Sequence, residues 1–165
     1  MVKRFYLRFI LNDLTEDVVF EVREKESDRL QSILGGLNKP ISNEDNFFWF
    51  DTIDGRSVIL NFRYLQVVRY LWDASESIPD VLHYEGPIKV FLRGRENPLE
   101  LSTEDYDILY DFFTNLQHGS YVVPSPYFID IDGEIIQFNP SEIIFVESPS
   151  YVLLEGKQKV ESEQK

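Results

Sequence analysis

Cysteine is absent from this chain of 165 residues, and histidine occurs only at His83 and His118. The lack of cysteine excludes disulfides and thiolate metal sites, and it is typical of proteins that stay in the reducing cytoplasm. Neither histidine has a second histidine or a glutamate at the spacing of a helical metal-binding motif. We therefore predict no metal, no other cofactor and a cytoplasmic location.

Catalytic motifs are missing as well. No serine lies in a G-x-S-x-G segment, and the chain has neither a P-loop nor a G-x-G-x-x-G sequence. Asp105, Asp107 and Asp111 crowd a predicted helix, but the helix dipole explains acids near a helix N-terminus. We predict that the protein is not an enzyme. The alternative is an enzyme that uses His83 or His118 with nearby carboxylates.

Positive charge is scarce, since 16 lysines and arginines stand against 29 aspartates and glutamates, for a net charge of −13. Between Arg95 and Lys157 there is no lysine or arginine, whereas 12 acids occur. This span cannot neutralise phosphates, so charge disfavours nucleic acid as a partner. Long apolar runs are also missing. None approaches the roughly 20 residues that span a bilayer, so we expect a soluble protein with no membrane partner.

Hydrophobic periodicity predicts many short strands and two helices. Apolar residues alternate with polar ones in the strands, whereas Leu30, Ile33 and Leu34 follow the spacing of a helix. A polar, frayed tail is predicted for 155–165. The predicted strands are 5–11, 18–22, 47–50, 58–61, 64–71, 88–92, 99–101, about 128–131, 135–139, 143–146 and 151–154, and the predicted helices are 23–34 and 102–118.

The order of these elements occurs twice, which predicts an internal duplication. Segments 47–69 and 125–147 share six identical positions at an offset of 78, including Asp54-Gly55 with Asp132-Gly133 and Asn61 with Asn139. Both Asp-Gly pairs predict hairpin turns of type I′, with a positive φ at both residues. We therefore expect a first repeat over 1–83 and a second over 84–165, packed as one globule.

The predicted class is α+β, mostly antiparallel, with two copies of a small barrel or strongly bent sheet and one helix on each. Within each repeat the expected order is strand, strand, helix, strand, strand, strand. The hairpin of 5–22 should either close the sheet of the second repeat or remain at an edge. Because unpaired edges invite association, this arrangement favours an oligomer formed by strand pairing.

Two short motifs resemble those of the Sm and Sm-like family. One is the Asp54-Gly55 turn after a strand, and the other is Leu92-Arg93-Gly94 between two later strands. The resemblance covers roughly residues 24–102, and more faintly 103–160. It implies a five-stranded barrel with an N-terminal helix, ring assembly and RNA contact through Arg93. In the second repeat Leu154-Glu155-Gly156 matches this motif, with glutamate in place of the RNA-binding arginine.

Arginine and aromatic residues interleave in one part of the chain and supply the candidate binding residues. Arginines beside aromatic rings suit single-stranded nucleic acid. They also anchor protein interfaces, and they could instead pair with acids across the interface between the repeats. Asn61 could contact a ligand or bond the backbone of a turn. The candidates are Arg56, Asn61, Arg63, Tyr64, Arg69, Tyr70, Arg93 and Gly94, with Arg63 and Arg69 expected on one strand face.

Taken together, the sequence predicts a non-catalytic binding or assembly module whose partner is a protein, with self-assembly through strand edges as one form of it. The alternative is an Sm-like RNA-binding protein that uses the Arg/Tyr face of the first repeat. The acidic charge disfavours that alternative.

Overall fold

The computed structural model describes residues 1–36, 45–77, 80, 83–119 and 126–165. It confirms an α+β protein in which antiparallel sheets predominate. Short 3₁₀ helices at Phe62–Tyr64 and Pro140–Glu142 precede two of the strands. The main elements are β1 (Val2–Leu11), β2 (Val18–Val22), α1 (Glu24–Gly35), β3 (Phe47–Asp51), β4 (Arg56–Asn61), β5 (Leu65–Ser75), β6 (Ile88–Leu92), β7 (Leu99–Leu101), α2 (Tyr106–His118), β8 (Tyr127–Ile129), β9 (Ile135–Gln137), β10 (Ile143–Pro149) and α3 (Ser150–Glu163).

The strands form three sheets in the part of the chain that the structure describes. A three-stranded sheet has the order β2-β1-β5, a five-stranded sheet has the order β3-β4-β10-β6-β7, and β8 and β9 form a separate hairpin. Closure would require the two end strands of a sheet to pair, and neither β2 with β5 nor β3 with β7 does so. The described sheets are therefore open, and of the two forms expected from the sequence, a small barrel or a strongly bent sheet, the closed barrel is wrong.

The same order of elements occurs before and after residue 84. The sequence β1-β2-α1-β3-β4-β5 recurs as β6-β7-α2-β8-β9-β10, with a 3₁₀ helix before the last strand each time. Strand pairing recurs too, because β2-β1-β5 corresponds to β7-β6-β10 and β3-β4 corresponds to β8-β9. One pairing crosses between the halves: β4 pairs with β10. The five-stranded sheet is therefore built from both halves of the chain.

This shared sheet divides two hydrophobic clusters. Leu60 of β4 and Phe145 of β10 belong to the cluster beneath the three-stranded sheet. Ile59 and Val146, the next residues along these strands, belong to the cluster around α2. All seven residues of β10 are buried. Each fully buried large apolar side chain contributes about 1.5–3 kcal/mol, so these two strands stabilise both halves of the molecule.

The C-terminal segment differs from the sequence prediction. Residues 151–154 form no strand and 155–165 are not a frayed tail, since α3 extends over Ser150–Glu163. Val152, Leu153 and Gly156 are buried, at spacings that share one side of a helix. A Cβ at Gly156 would lie 2.1 Å from the Tyr106 carbonyl oxygen. This glycine therefore allows α3 to pack closely against α2.

The two Asp-Gly hairpins are confirmed, but their turn type is not I′. In these two turns the glycines, Gly55 (φ 86°) and Gly133 (φ 81°), have a positive φ, and the aspartates before them do not. The Gly55 N–H donates to the Thr52 carbonyl at 3.4 Å, and the Gly133 N–H donates to the Asp130 carbonyl at 3.0 Å. These are three-residue loops with glycine at the left-handed position.

Candidate functional site

Arg56 lies at the start of β4 and binds two carboxylates. Its Nη2 is 2.7 Å from Asp54 Oδ2, and its Nη1 is 2.8 Å from Oε1 of Glu147 on β10. Burial disfavours the charge on Asp54, but hydrogen bonds from Arg56 and Thr52 outweigh it and lower the pKa of that carboxyl. The contact with Glu147 joins the two halves of the chain, as the ion-pair interpretation of Arg56 predicts.

Asn61, at the end of β4, is completely buried. Its side-chain oxygen accepts a hydrogen bond from the Arg63 N–H at 3.1 Å, and its Nδ2 donates to the Ile143 carbonyl at 3.1 Å. Asn139 accepts from the Ser141 N–H at 3.1 Å in the same way. Asn61 therefore fixes the 3₁₀ turn and holds β4 against β10, as the turn interpretation predicts.

Arg63, Tyr64 and Arg93 lie near one another at the end of the five-stranded sheet. Arg63 Nη1 is 3.5 Å from Asp45 Oδ1. The Tyr64 hydroxyl donates to the Ser141 carbonyl. Burial raises the pKa of Tyr64, and Glu142 adds to this, whereas Arg63 and Arg93 oppose it. Arg63 and Tyr64 are therefore engaged in contacts within the protein, and the acids Asp45 and Glu142 lie close to them.

Arg93 and Gly94 form the exposed turn between β6 and β7. Gly94 has a φ of 75°, and the Arg93 N–H donates to the Glu142 carbonyl at 2.8 Å. Leu154-Glu155-Gly156, which the resemblance placed in a matching turn, instead lies within α3. The motif is therefore between strands in the first instance and helical in the second.

Arg69 and Tyr70 are neighbours on β5 and point to opposite faces of its sheet. Tyr70 packs against the core beneath the sheet, and burial raises its pKa. Arg69 is exposed on the outer face. Arg63 lies in a 3₁₀ helix rather than on the strand, so the expectation that it shares a strand face with Arg69 is wrong. The predicted Arg/Tyr residues consequently do not form one continuous surface.

The edge of β5 is the first candidate interaction site. This strand has 11 residues and pairs with β1 along its length. No described strand pairs with its other edge. Val67 and Trp72 on β5 are 43% and 56% exposed. Main-chain hydrogen-bonding groups on such an edge can accept an added strand.

Charges on the outer face of this sheet are unevenly paired. Arg4 binds both carboxylate oxygens of Glu21 at 2.6 and 2.7 Å, and Arg8 binds Asp17 at 2.7 Å. On β5, Arg69 lies opposite Arg8 in the strand register. No ion pair involves Arg69 or Asp73 within the described ranges. Asp73 lies opposite Arg4, whose guanidinium binds Glu21. Arg69 and Asp73 can therefore both contact a partner, and Arg69 is the one that faces a like charge.

A cleft of about 540 Å³ is the second candidate site. It lies between the β3-β4 hairpin, α2 and the start of α3, and its volume is within the range of small-ligand sites. Four aromatic side chains line it together with serines, a carboxylate and a lysine. The lining of the cleft includes Trp49, Asp51, Ser57, Tyr84, Tyr110, Ser150, Tyr151 and Lys157.

Hydrogen bonds organise the polar side of this cleft. The Ser57 hydroxyl, buried at the base of β4, donates to Asp51 Oδ1 at 2.6 Å and lies 3.0 Å from Ser150 Oγ. Burial raises the pKa of Tyr151, and the charges of Glu85 and Glu155 raise it further. Side-chain hydrogen bonds therefore join β3, β4 and the start of α3 at the cleft, and the carboxylates of Glu85 and Glu155 lie near Tyr151.

Sequence reasoning missed the cleft because its lining comes from residues more than a hundred positions apart, between Trp49 and Lys157. The signal available in the sequence was one aromatic residue on each element that contributes to the cleft, beyond those needed for the core. Trp49 and Tyr110 are both half-buried rather than fully enclosed. Their meeting depends on the packing of α2 against β3, which periodicity does not reveal.

The described residues hold neither a metal-binding cluster nor a membrane-spanning helix. No group of three or more histidine, aspartate or glutamate side chains within them could hold a metal ion. No helix found there has the length and apolar character required to cross a membrane. Comparison with protein-family models, with curated proteins and with solved structures found no match to this chain. The Sm-like resemblance and RNA binding therefore stay predictions.

Proposed function

We propose that this protein is a non-catalytic assembly module that binds a second copy of itself through antiparallel pairing of the two β5 edges. The observation that carries the proposal is the 11-residue strand β5, which has a described partner strand on one side and none on the other. Main-chain hydrogen bonds along such an edge supply affinity.

The arrangement of β10 supports this use of the β5 edge. In the repeated order of elements β10 corresponds to β5, and each pairs with the first strand of its half. The other side of β10 receives β4. A strand added to β5 would take the position that β4 takes beside β10.

Charge favours one register. With a two-fold axis at Leu71, Arg69 lies opposite Asp73 of the second copy, and Tyr70 lies opposite Trp72 of the second copy. Arg69 and Asp73 are the only charged residues of β5, so the edge is neutral although the whole chain carries −13. Opposite charges and aromatic pairs across strands are stabilising. The edge is therefore self-complementary.

We also infer that 1–83 and 84–165 arose by internal duplication. The recurrence of element order and of strand pairing supports this inference. The assembly proposal does not depend on it, because the edge of β5 that no described strand pairs with exists whatever the origin of the chain.

Absolute mass by light scattering across a dilution series tests the proposal. We expect a dimer that Leu71→Lys converts to a monomer, because two lysines would meet at the two-fold axis. Leu99→Lys is the matched control, since Leu99 is 41% exposed on the edge strand β7. A monomer at every concentration, or a dimer that survives Leu71→Lys, would overturn the proposal. Nucleic-acid absorbance on the peak would instead favour the RNA alternative.

A further inference from the structure

We propose that the cleft between β3, α2 and α3 binds an organic cation, namely a guanidinium or alkylammonium group. The cleft residues take no part in the β5 edge, so this proposal is independent of the assembly proposal. Three features of the cleft support it: aromatic walls, a carboxylate and nearby negative charge.

The walls present several aromatic rings to a ligand. The Trp49 and Tyr110 ring centres are 6.0 Å apart at 63°, and Trp49 also packs edge-on against Phe113 with centres 5.3 Å apart. Tyr84 and Tyr151 lie on other parts of the lining. Aromatic faces are negatively polarised and attract cations within about 6 Å. Tyr84 already has such a contact, since Arg56 Cζ is 6.0 Å from its ring.

Asp51 provides the carboxylate. Its Oδ1 is held by the buried Ser57 hydroxyl at 2.6 Å. Asp51 is exposed, and it has no ion pair in the described part of the chain. A guanidinium could bind the carboxylate through charge-assisted hydrogen bonds while stacking on a ring.

The charged side chains around the cleft favour a cation over an anion. Lys157 is the one lysine or arginine among the described residues of the lining, and its Nζ is 3.9 Å from Glu161. His83 Nε2 is 3.2 Å from Glu85. Glu85 and Glu155 both raise the pKa of Tyr151, which places their negative charge close to the cleft. A neutral ligand would leave the negative charge of Asp51 without a partner, whereas a cationic ligand would neutralise it.

The cleft is larger than a single cationic group. Its volume of about 540 Å³ leaves room for the atoms attached to that group, whether a free small molecule or an arginine or lysine of another protein. Both sources present the same chemistry to Asp51 and the rings. The choice of probes can separate them.

Trp49 fluorescence in a Trp72→Phe background reports binding, because Trp49 is then the sole tryptophan of the two in the chain. The probes are N-acetylarginine amide, its uncharged analogue N-acetylcitrulline amide, tetramethylammonium, and the peptide Gly-Arg-Gly amide. We expect saturable binding of the arginine probe and about tenfold weaker binding of the citrulline probe, from loss of an ionic and cation–π contribution. Tighter binding of the peptide would assign the site to a protein side chain, and equal binding of tetramethylammonium would assign it to small cations.

Two variants test the proposed residues. Asp51→Asn should weaken the arginine probe about tenfold, and Tyr110→Leu should weaken it by a similar factor. Asp132→Asn, at the exposed β8-β9 turn and outside the lining of the cleft, is the matched control and should leave binding unchanged. Asp51 is exposed, so its substitution keeps the test valid even if Tyr110→Leu fails to fold. Equal affinity for the arginine and citrulline probes, an unaffected Asp51→Asn variant, or no saturable binding would overturn the proposal.

Discussion

β5 and β10 hold the same place in the repeated order of elements but have opposite surroundings. All seven residues of β10 are buried, whereas none of the 11 residues of β5 is. β4 pairs with the side of β10 that corresponds to the side of β5 where no described strand pairs. Hydrophobic clusters also cover both faces of the sheet that contains β10. Position in the repeated order therefore matches the first pairing of each strand, whereas burial depends on what packs around the strand.

The two hairpins explain why only one of these strands is covered. β3 and β4 have five and six residues, and most of their side chains are buried. β8 and β9 have three residues each, and Ile131 and Ile135 in and beside their turn are 59% and 67% exposed. The longer hairpin pairs with β10. The shorter one packs against α2 instead.

Removing the ion pair between the halves should have the largest effect. Arg56→Met leaves Glu147, whose side chain is 8% exposed, without its partner, and should lower the free energy of unfolding by about 3 kcal/mol. Urea denaturation measures this. Arg63→Met is the control, since its pair with Asp45 at 3.5 Å is more exposed and should contribute at most about 1 kcal/mol. Equal losses would contradict the importance of the β4–β10 contact.

Matched valines compare the two strands directly. Val146 on β10 is 0% exposed, and Val68, at the same place on β5, is half-buried. Val146→Ala should cost about 2 kcal/mol of unfolding free energy, and Val68→Ala about 1 kcal/mol, because two methyl groups are lost from sites of different burial. Urea denaturation of both variants checks the order. A larger loss at Val68 would refute the comparison.

The pH dependence of the unfolding free energy should differ between variants of the two Asp-Gly hairpins. The folded protein holds the pKa of Asp54 below its ordinary value of 3.8. The stability this gives is present above about pH 4 and is lost as the pH falls through the lower, folded value. Asp54→Asn should therefore reduce the slope of unfolding free energy between about pH 4 and pH 2. Asp132→Asn, at the matching turn, is the control, and an equal change in both variants would contradict the assignment.

The smallest expected effect concerns the register of the β5 edges. Arg69→Asp should weaken the dimer by about two- to thirtyfold, because each cross-strand pair contributes about 0.2–1 kcal/mol and the symmetric dimer has two. Arg69→Asp combined with Asp73→Arg should recover most of the affinity. Sedimentation velocity over a concentration series measures both dissociation constants. A double variant no tighter than the single one would reject the register centred on Leu71.

Local patterns were sufficient for much of the fold. Alternation predicted the strands around Phe9 and Val90, and the apolar spacing of Leu109, Phe112 and Leu116 predicted α2, because each of these signals depends on neighbours in the sequence. The helix α3 was missed since Tyr151 to Leu154 is a short apolar run that suits strand or helix equally. Its helical form depends on packing against α2.

Of the candidate site residues, the sequence could identify types but not surroundings. From the sequence, Asn61 could either stabilise a turn or bind a ligand. Arg56 could either contact a partner or form an ion pair with an acid of the same chain. Their contacts with Ile143 and Glu147 join positions more than 80 residues apart. No local pattern reports such a pairing. The same limit hid the aromatic cleft.

The pairing of β4 with β10 also has a consequence for the order of folding during synthesis. Residues 56–61 leave the ribosome long before 143–149, so the β3-β4 hairpin must wait with its central apolar edge uncovered. Contacts of such high sequence separation slow folding. Synthesis of residues 143–149, rather than completion of the first half, therefore sets the earliest moment at which the five-stranded sheet can form. Until then the β3-β4 hairpin is the segment that a chaperone would have reason to cover.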